Sequence, residues 1–424
     1  MKTSGHFAEI AARAEKEYPS LERLYRHLHA HPELSRQEEK TSERMARELA
    51  RARFDAATGV GGFGVVGVLR NGPGPTVMIR ADMDALPVAE KTGLPYASRK
   101  TAVDAEGRRV GVMHACGHDA HMTAFIGAAR VLRAMRRHWR GTLLFVAQPD
   151  EEGISGARAM LEDGLFTRFP RPDCALALHV ASDLAAGRIG YTKGRAMSCA
   201  RGLDVTVRGV GGHGAHPEKA KDPIVVAAQM ILALQTIVSR QTSALEPVVI
   251  TVGSIHGGSR RNVIPDEVKL QLSLRAFSDA ALGRLKAAIE RTARGLALAA
   301  GIPPKLAPRV AWSGEQTPSL YNSPPLAKRV VGVLAQIVGP GNVVEKGPLM
   351  GSEDFAFYGR ADPPIPIFMF RLGSVAPRRV AESRRKGGRP LPTLHSALFA
   401  PDPEPTIKTG VKAMSAAVLD LLQV

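Results

Sequence analysis

Apolar residues recur at helical spacing over residues 21–31 and 38–54, with the break His31-Pro32-Glu33-Leu34 between them. The pattern then changes. Short runs with few polar residues stand at 65–69, 76–81 (TVMIRA), 142–147 (TLLFVA), 174–179 (CALALH) and 365–370 (IPIFMF). Such runs predict buried strands. Residues 120–138, between the runs at 76–81 and 142–147, carry a helical pattern. Buried strands alternating with helices predict an α/β sandwich around a mostly parallel sheet.

From about 200 to 308 the texture differs. Residues 202–208, 247–256 and 267–277 alternate polar and apolar, as half-exposed strands do. Residues 222–239 and 279–300 read as helices, the first with Pro223 in a first-turn position. The order strand–helix–strand–strand–helix predicts a small α+β domain on one antiparallel sheet. The α/β texture resumes from Leu320. The expected division is an α/β domain of three layers built from 1–198 and 313–424, interrupted by a smaller α+β domain at 199–312.

Length and composition agree. At 424 residues the chain is long for one core, and 44% apolar residues exclude a mainly disordered chain. No apolar run approaches the ~18 residues of a membrane helix. The first twenty residues lack the apolar core of a signal peptide. The three cysteines, Cys116, Cys174 and Cys199, give no readable disulfide framework. A soluble protein of the reducing cytoplasm is expected. With 57 Lys and Arg against 40 Asp and Glu, the formal charge is +17, which suits anionic partners. Residues 376–390 alone hold six basic side chains and one Glu, and their Gly and Pro content reads as a solvated loop. Aromatic residues are only 5%, and no nucleic-acid reading module is visible, so a nucleic-acid partner is not expected.

Chemistry collects at the ends of the apolar runs. In an open α/β sheet, ligands bind beyond the carboxyl ends of the strands. TVMIRA is followed by Asp82 and Asp84, TLLFVA by Asp150, Glu151 and Glu152, and CALALH ends on His179. Each is unremarkable as a polar turn; together they predict one polyvalent site. The densest signal is MHACGHDAH at 113–121, just before and at the start of a helix. A thiolate and an imidazole two residues apart, Cys116 and His118, can converge on a metal ion, and a helix N-terminus favours the thiolate. Glu151 and Glu152 would point to opposite sides of an extended backbone. One can then hold metal while the other acts as general base. In the smaller domain, GVGGHGAHP at 209–217 offers His213 and His216 for metal, oxyanion or turn hydrogen bonding. Asn262 and Arg275 are suited to clamping a substrate carboxylate.

These residues form a familiar series. RHLHAHPELS (26–35), IRADMDALP (79–87), MHACGHDAH, QPDEEG (148–153), ALHV (177–180), GGHGAHP (211–217), NVIPDEV (262–268), MGSEDFAFY (350–358) and LHS (394–396) occur in order across nearly the whole chain. The series resembles the aminoacylase/carboxypeptidase family of two-metal amidohydrolases, in the branch of hippurate hydrolases and indole-acetyl-amino-acid hydrolases. The resemblance implies a catalytic domain interrupted by a lid domain that mediates homodimerisation. It implies two divalent ions per subunit, manganese or zinc, with cobalt compatible, held by Cys116, His118, Glu152, His179 and His395. Glu151 would be the general base, and Asp84 would orient a ligand. His213 would stabilise the oxyanion, and Asn262 and Arg275 would hold the substrate carboxylate. The reaction implied is hydrolysis of an N-acyl amino acid, with a dipeptidase or carboxypeptidase as the alternative of the same chemistry.

Two departures stand out. The branch usually has Ala before its paired glutamates, where this chain has Asp150, a carboxylate able to raise the proton affinity of Glu151 if it points inward. Arg260-Arg261 precede NVIPDEV in place of small and apolar residues, which would favour a more acidic substrate. A Cys116–His118 nucleophile without metal would leave Glu151, Glu152, His179 and His395 idle. A non-catalytic polyanion binder would have no use for an intact Glu151.

Overall fold

A computed structural model of the chain describes residues 2–422. It divides into two compact units. The first comprises the chain up to Gly194, Tyr321–Gly347 and everything from Asp354 onward; the second comprises Arg195–Leu320 and Pro348–Glu353.

The first unit is built on an eight-stranded sheet, ordered Asp55–Val60, Gly64–Asn71, Gly141–Gln148, Thr76–Asp82, Cys174–Ala185, Ile367–Val375, Ile189–Tyr191, Val343–Glu345. Its four middle strands, Gly141–Gln148 to Ile367–Val375, are mutually parallel. Antiparallel pairing appears only toward the edges. The four middle strands supply four of the apolar runs seen in the sequence. Parallel pairing brings their carboxyl ends together: Asp82 is level with Gln148, and Arg80 is level with Ala177, two residues before His179.

One face of this sheet, carrying Val77, Ile79, Phe145, Leu176 and Phe370, packs into a core with the helices Lys2–Ala30, His118–Ala134 and Pro403–Leu421. The helix His118–Ala134 is buried without interruption from His118 to Ala129. Two close approaches seat it. A Cβ on Gly127 would lie 2.3 Å from Val411 Cγ2, and one on Gly410 would lie 2.9 Å from Ala124 Cβ. The opposite face, with Arg80 and Gln148, meets the short helix Asp354–Arg360.

Local sequence rules give way to packing at two places. The helix Lys2–Ala30 runs through Pro19, although Pro removes a backbone donor and crowds the preceding turn. Pro19 is exposed, while Ile10, Ala14, Leu21, Leu24 and Tyr25 anchor the helix on both sides of it. The basic stretch expected to be a loop begins as the helix Pro377–Ser383. Pro377 sits in its first turn, Val380 is buried and Arg378 pairs with Glu382 at 3.4 Å.

The second unit holds a four-stranded antiparallel sheet in the order Val249–Gly257, Glu267–Ala276, Cys199–Arg208, Arg309–Thr317, with helices Pro223–Thr236 and Asp279–Ala299 sharing its core. The last strand runs across residue 312, so the sheet continues past the point where its texture ends in the sequence. One helix of this unit is unusually apolar. The segment Pro223–Gln241, 19 residues, is long and apolar enough by composition to cross a membrane. Gln229 and Gln235 interrupt the run and hide it from a scan for unbroken apolar residues. Val226, Met230 and Leu234 pack it into the second core, while Ile224, Val225 and Leu232 stay exposed.

Gly127→Ala should gain about 1 kcal/mol of helix propensity but lose more to overpacking, because Val411 is stiff at χ1 and Leu21 presses from 2.9 Å. A net loss of about 1–2 kcal/mol is expected from chemical denaturation; an unchanged or higher midpoint would mean that the two helices separate without strain.

Candidate metal centre

The turn 113–117 decides where the cluster forms. Gly117 takes φ 81°, and a Cβ there would lie 2.5 Å from Val180 Cγ2. Only glycine lets this turn pass so close to the strand Cys174–Ala185. Cys116 Sγ thereby comes within 3.5 Å of His179 Nε2. His118, the first helical residue, points Nδ1 at the carbonyl of Asp84 at 2.8 Å. That bond fixes the ring and leaves Nε2 buried with no hydrogen bond.

Both glutamates approach that nitrogen. Glu151 Oε2 and Glu152 Oε1 each lie 3.9 Å from His118 Nε2. The expectation that they point to opposite sides is therefore corrected: the backbone here is a turn, with Asp150 at φ 52°, not an extended strand. Glu152 N donates to Asp84 Oδ2 at 2.9 Å. His395, held at φ 67° with its amide on the carbonyl of Ala115 at 2.9 Å, places Nε2 3.4 Å from Glu152 Oε1. Cys116, His118, His179, Glu151, Glu152 and His395 thus fall into overlapping groups whose ligand atoms lie within 4.8 Å of one another.

The other histidines of MHACGHDAH are engaged differently. His121 Nδ1 meets Asp82 Oδ1 at 2.7 Å, and its Nε2 accepts from Val180 N at 2.8 Å. Accepting at Nε2 requires the neutral ring, and burial pushes its pKa down to about 4. His121 therefore braces the segment beside His179. His114 is buried and belongs to none of the ligand groups.

The electrostatics indicate what is needed here. Burial opposes charge on His118, yet Asp82, Asp84 and Glu152 hold its pKa up at about 10. Burial lifts Glu152 to about 7 against the pull of His118. Burial and the two glutamates push the Cys116 thiol well up, against the expectation that a helix N-terminus would favour thiolate. The acids around His118 thus call for positive charge. Divalent ions would supply it and would bind Nε2 of His118 and Oε1 of Glu152, both buried and without a hydrogen bond among the described residues. The donor set of one thiol, three imidazoles and carboxylates fits such ions.

Sequence reasoning missed the supports. Arg80, wholly buried, donates to Asp82 Oδ2 at 2.6 Å, Gln148 Oε1 at 2.9 Å and Asp354 Oδ1 at 2.8 Å. His29 bridges Asp119 Oδ2 at 2.7 Å and Glu90 Oε1 at 3.0 Å. Burial would lower its pKa, but those two acids hold it at about 10. Arg80, Asp354 and His29 all lie inside motifs already singled out, which was the available signal.

In the second unit, His213 pairs with Val263 in the ribbon Gly212–His213 and Val263–Ile264, next to Asn262. His213 is exposed, and its Nδ1 accepts from Ala215 N at 3.1 Å. Arg275 lies on the four-stranded sheet, and its Nη1 donates to Met350 O at 2.8 Å and Ser352 Oγ at 3.1 Å.

Residues 78–383 match peptidase family M20/M25/M40. The chain belongs to this family. A hippurate hydrolase from Campylobacter jejuni is 35% identical over 339 residues, 80% of this chain and 84% of its own. An IAA-amino acid hydrolase from Arabidopsis thaliana is 33% identical over 354 residues, 83% of this chain and 77% of its own. The resemblance read from the motifs thus holds down to the branch. A dinuclear metal-binding peptidase of the M20 family from Bacillus subtilis has the same fold, with TM-score 0.77 at 28% identity over 96% of this chain and 99% of that one.

Arg80→Leu would strand Asp82 and Asp354 as buried charges and is expected to cost about 3–5 kcal/mol of stability. The denaturation midpoint of the metal-free protein measures this. A loss under about 1 kcal/mol would mean that the acids find other partners.

Proposed function

We propose that this member of the M20 family hydrolyses the amide bond of N-acyl amino acids, releasing a carboxylic acid and a free amino acid. The observation that carries the reading is the approach of both Glu151 and Glu152 to the unpartnered Nε2 of His118, inside a ring completed by Cys116, His179 and His395. Cys116, His118, Glu152, His179 and His395 are proposed to hold two divalent ions, manganese or zinc, with cobalt compatible. Bound there, such ions polarise a carbonyl and acidify water.

The remaining chemistry belongs to the side chains. Glu151 takes a proton from the attacking water and returns it to the departing amine. Asp84 fixes the geometry, accepting from Glu152 N on its carboxylate and from His118 on its carbonyl. His213 is proposed to donate to the developing oxyanion, and Asn262 and Arg275 to hold the substrate carboxylate. Arg260 and Arg261, both exposed beside Asn262, favour a substrate with a further acidic group. Dimerisation through the second unit is also proposed. It is supported by the exposed Ile224, Val225 and Leu232 and by the strand Val249–Gly257, which among the described residues is an edge strand of its sheet. None of the chain's three cysteines is in a disulfide, which suits the cytoplasm.

The test is a panel of N-benzoyl, N-acetyl and dipeptide substrates, with and without a chelator. Chelator-sensitive release of amino acids from N-acyl compounds is expected, with activity restored by manganese or zinc. Turnover of dipeptides alone would replace the reading with a peptidase. Glu151→Gln should retain metal and lose about 10²–10⁴-fold in kcat. His395→Ala should lose metal affinity. A near-normal rate for Glu151→Gln would remove the base assignment.

A further inference from the structure

The turn carrying Glu151 and Glu152 is tied down from several directions. Asp150 opens it at φ 52° and Ile154 closes it at φ 58°, both unusual for residues with a side chain. The amides of Ser155 and Gly156 donate to the carbonyl of Asp150 at 3.2 and 3.1 Å, and Ile154 N donates to Glu151 O at 2.8 Å. Asp150's own amide donates to Glu38 Oε1 at 2.8 Å, within the segment that joins the first two helices. These backbone ties set the course of the turn whatever side chain stands at 150.

The side chain of Asp150 is a separate matter. It is 7% exposed, and its one salt bridge among the described residues is to Arg36, whose Nε lies 2.7 Å from Asp150 Oδ2. Ser155 Oγ also donates to that oxygen, and Arg36 Nη2 donates to Ser155 Oγ at 2.9 Å. A Cβ on Gly153 would lie 1.9 Å from Asp150 Oδ1, so the carboxylate is seated over Gly153. Arg36 itself is held at φ 63°, another left-handed residue with a side chain, and is 73% exposed. The pair is lopsided: a buried acid, immediately before the base, secured from the solvent side by an exposed cation. The contacts of the Asp150 carboxylate are with Arg36, Ser155 and Gly153.

We infer that Arg36 is a positioning residue, acting through Asp150 to keep this extra carboxylate seated over Gly153 and out of the Glu151–Glu152 pair. The inference rests on the assignment of Glu151 as base and Glu152 as ligand. Its signature follows from the lopsidedness. Removing the exposed partner leaves a buried charge seeking new contacts, and the nearest groups to disturb are those of the turn. Removing the buried partner leaves only an exposed arginine, while every backbone tie remains.

The experiment compares Arg36→Ala, Arg36→Lys, Asp150→Ala and the double variant Arg36→Ala/Asp150→Ala in the full chain. Arg36→Ala is expected to lower kcat about tenfold, with KM within about twofold, and to weaken manganese binding about tenfold by calorimetry. Asp150→Ala should lie within about threefold of the parent, Arg36→Lys should recover part of the loss, and the double variant should return to the level of Asp150→Ala. The melting temperature of the metal-free protein should follow the same order. An Arg36→Ala protein that behaves like the parent, or a double variant no better than Arg36→Ala, overturns the inference; the second outcome would make Arg36 a simple anchor of its loop. If Glu151 proves not to be the base, the manganese affinities and metal-free melting temperatures still decide whether Arg36 acts through Asp150.

Discussion

Buried negative charge is the constraint on which the carboxyl edge of the first sheet depends. Asp82, Asp84, Asp119 and Asp354 are wholly buried, and Glu151 is nearly so. An ionised carboxylate in such surroundings is tolerated only with a compensating charge or hydrogen bonds. The chain meets this demand in two ways. Acids that only support the site receive cations from the protein: Arg80 serves Asp82 and Asp354, and His29 serves Asp119 and Glu90. Asp84 and Glu152 have no salt bridge to arginine or lysine among the described residues, and their pull on that imidazole, added to that of Asp82, outweighs burial. Positive charge beyond Arg80 is what this part of the edge calls for.

That division explains what could be read from the sequence. The four parallel strands were legible because burial on both faces makes each a continuous apolar run, and parallel pairing then gathers their ionisable ends at one edge. Asp82, Asp84, Glu151, Glu152 and His179 were therefore visible as a group. The supports were not, because their partners lie far away in the chain. Arg80 meets Asp354 across 274 positions, Glu38 meets Asp150 across 112, and His29 meets Asp119 across 90. No local pattern encodes such a pairing. The orientation of Glu151 and Glu152 was misjudged for a related reason. A left-handed Asp150 is a conformation that only tertiary ties maintain, so a local rule defaults to extended backbone. Pro19 inside a long helix is the same lesson in the opposite sense: core contacts on either side of it override a local signal to stop.

The second unit answers to a different constraint. Its sheet alternates cleanly, so its strands and helices were readable, but alternation accounts for one face only. The helix Pro223–Thr236 is apolar beyond what its own core needs, and Ile224, Val225 and Leu232 remain in water. The strand Val249–Gly257 is at the edge of its sheet among the described residues, so one side of it carries a row of backbone groups without a neighbouring strand there. Open edges and apolar surface are normally blunted or covered, and burying both in one interface removes both liabilities.

The charge constraint also governs how this site can vary. A carboxylate added beside an acid-rich cluster raises the same problem as the resident acids. Such a carboxylate needs its own cation, close enough to hold it and apart from the acids around His118. Arg36 meets both conditions: it reaches Asp150 from the solvent side, and its second contact is a serine hydroxyl, not one of the acids around His118. Arg36 and Asp150 both take left-handed backbone; at Asp150 the ties to Glu38, Ser155 and Gly156 hold it, and the side-chain contact with Arg36 is separate from them. At Asp150, next to the proposed base Glu151, the charge balance is closed locally by Arg36.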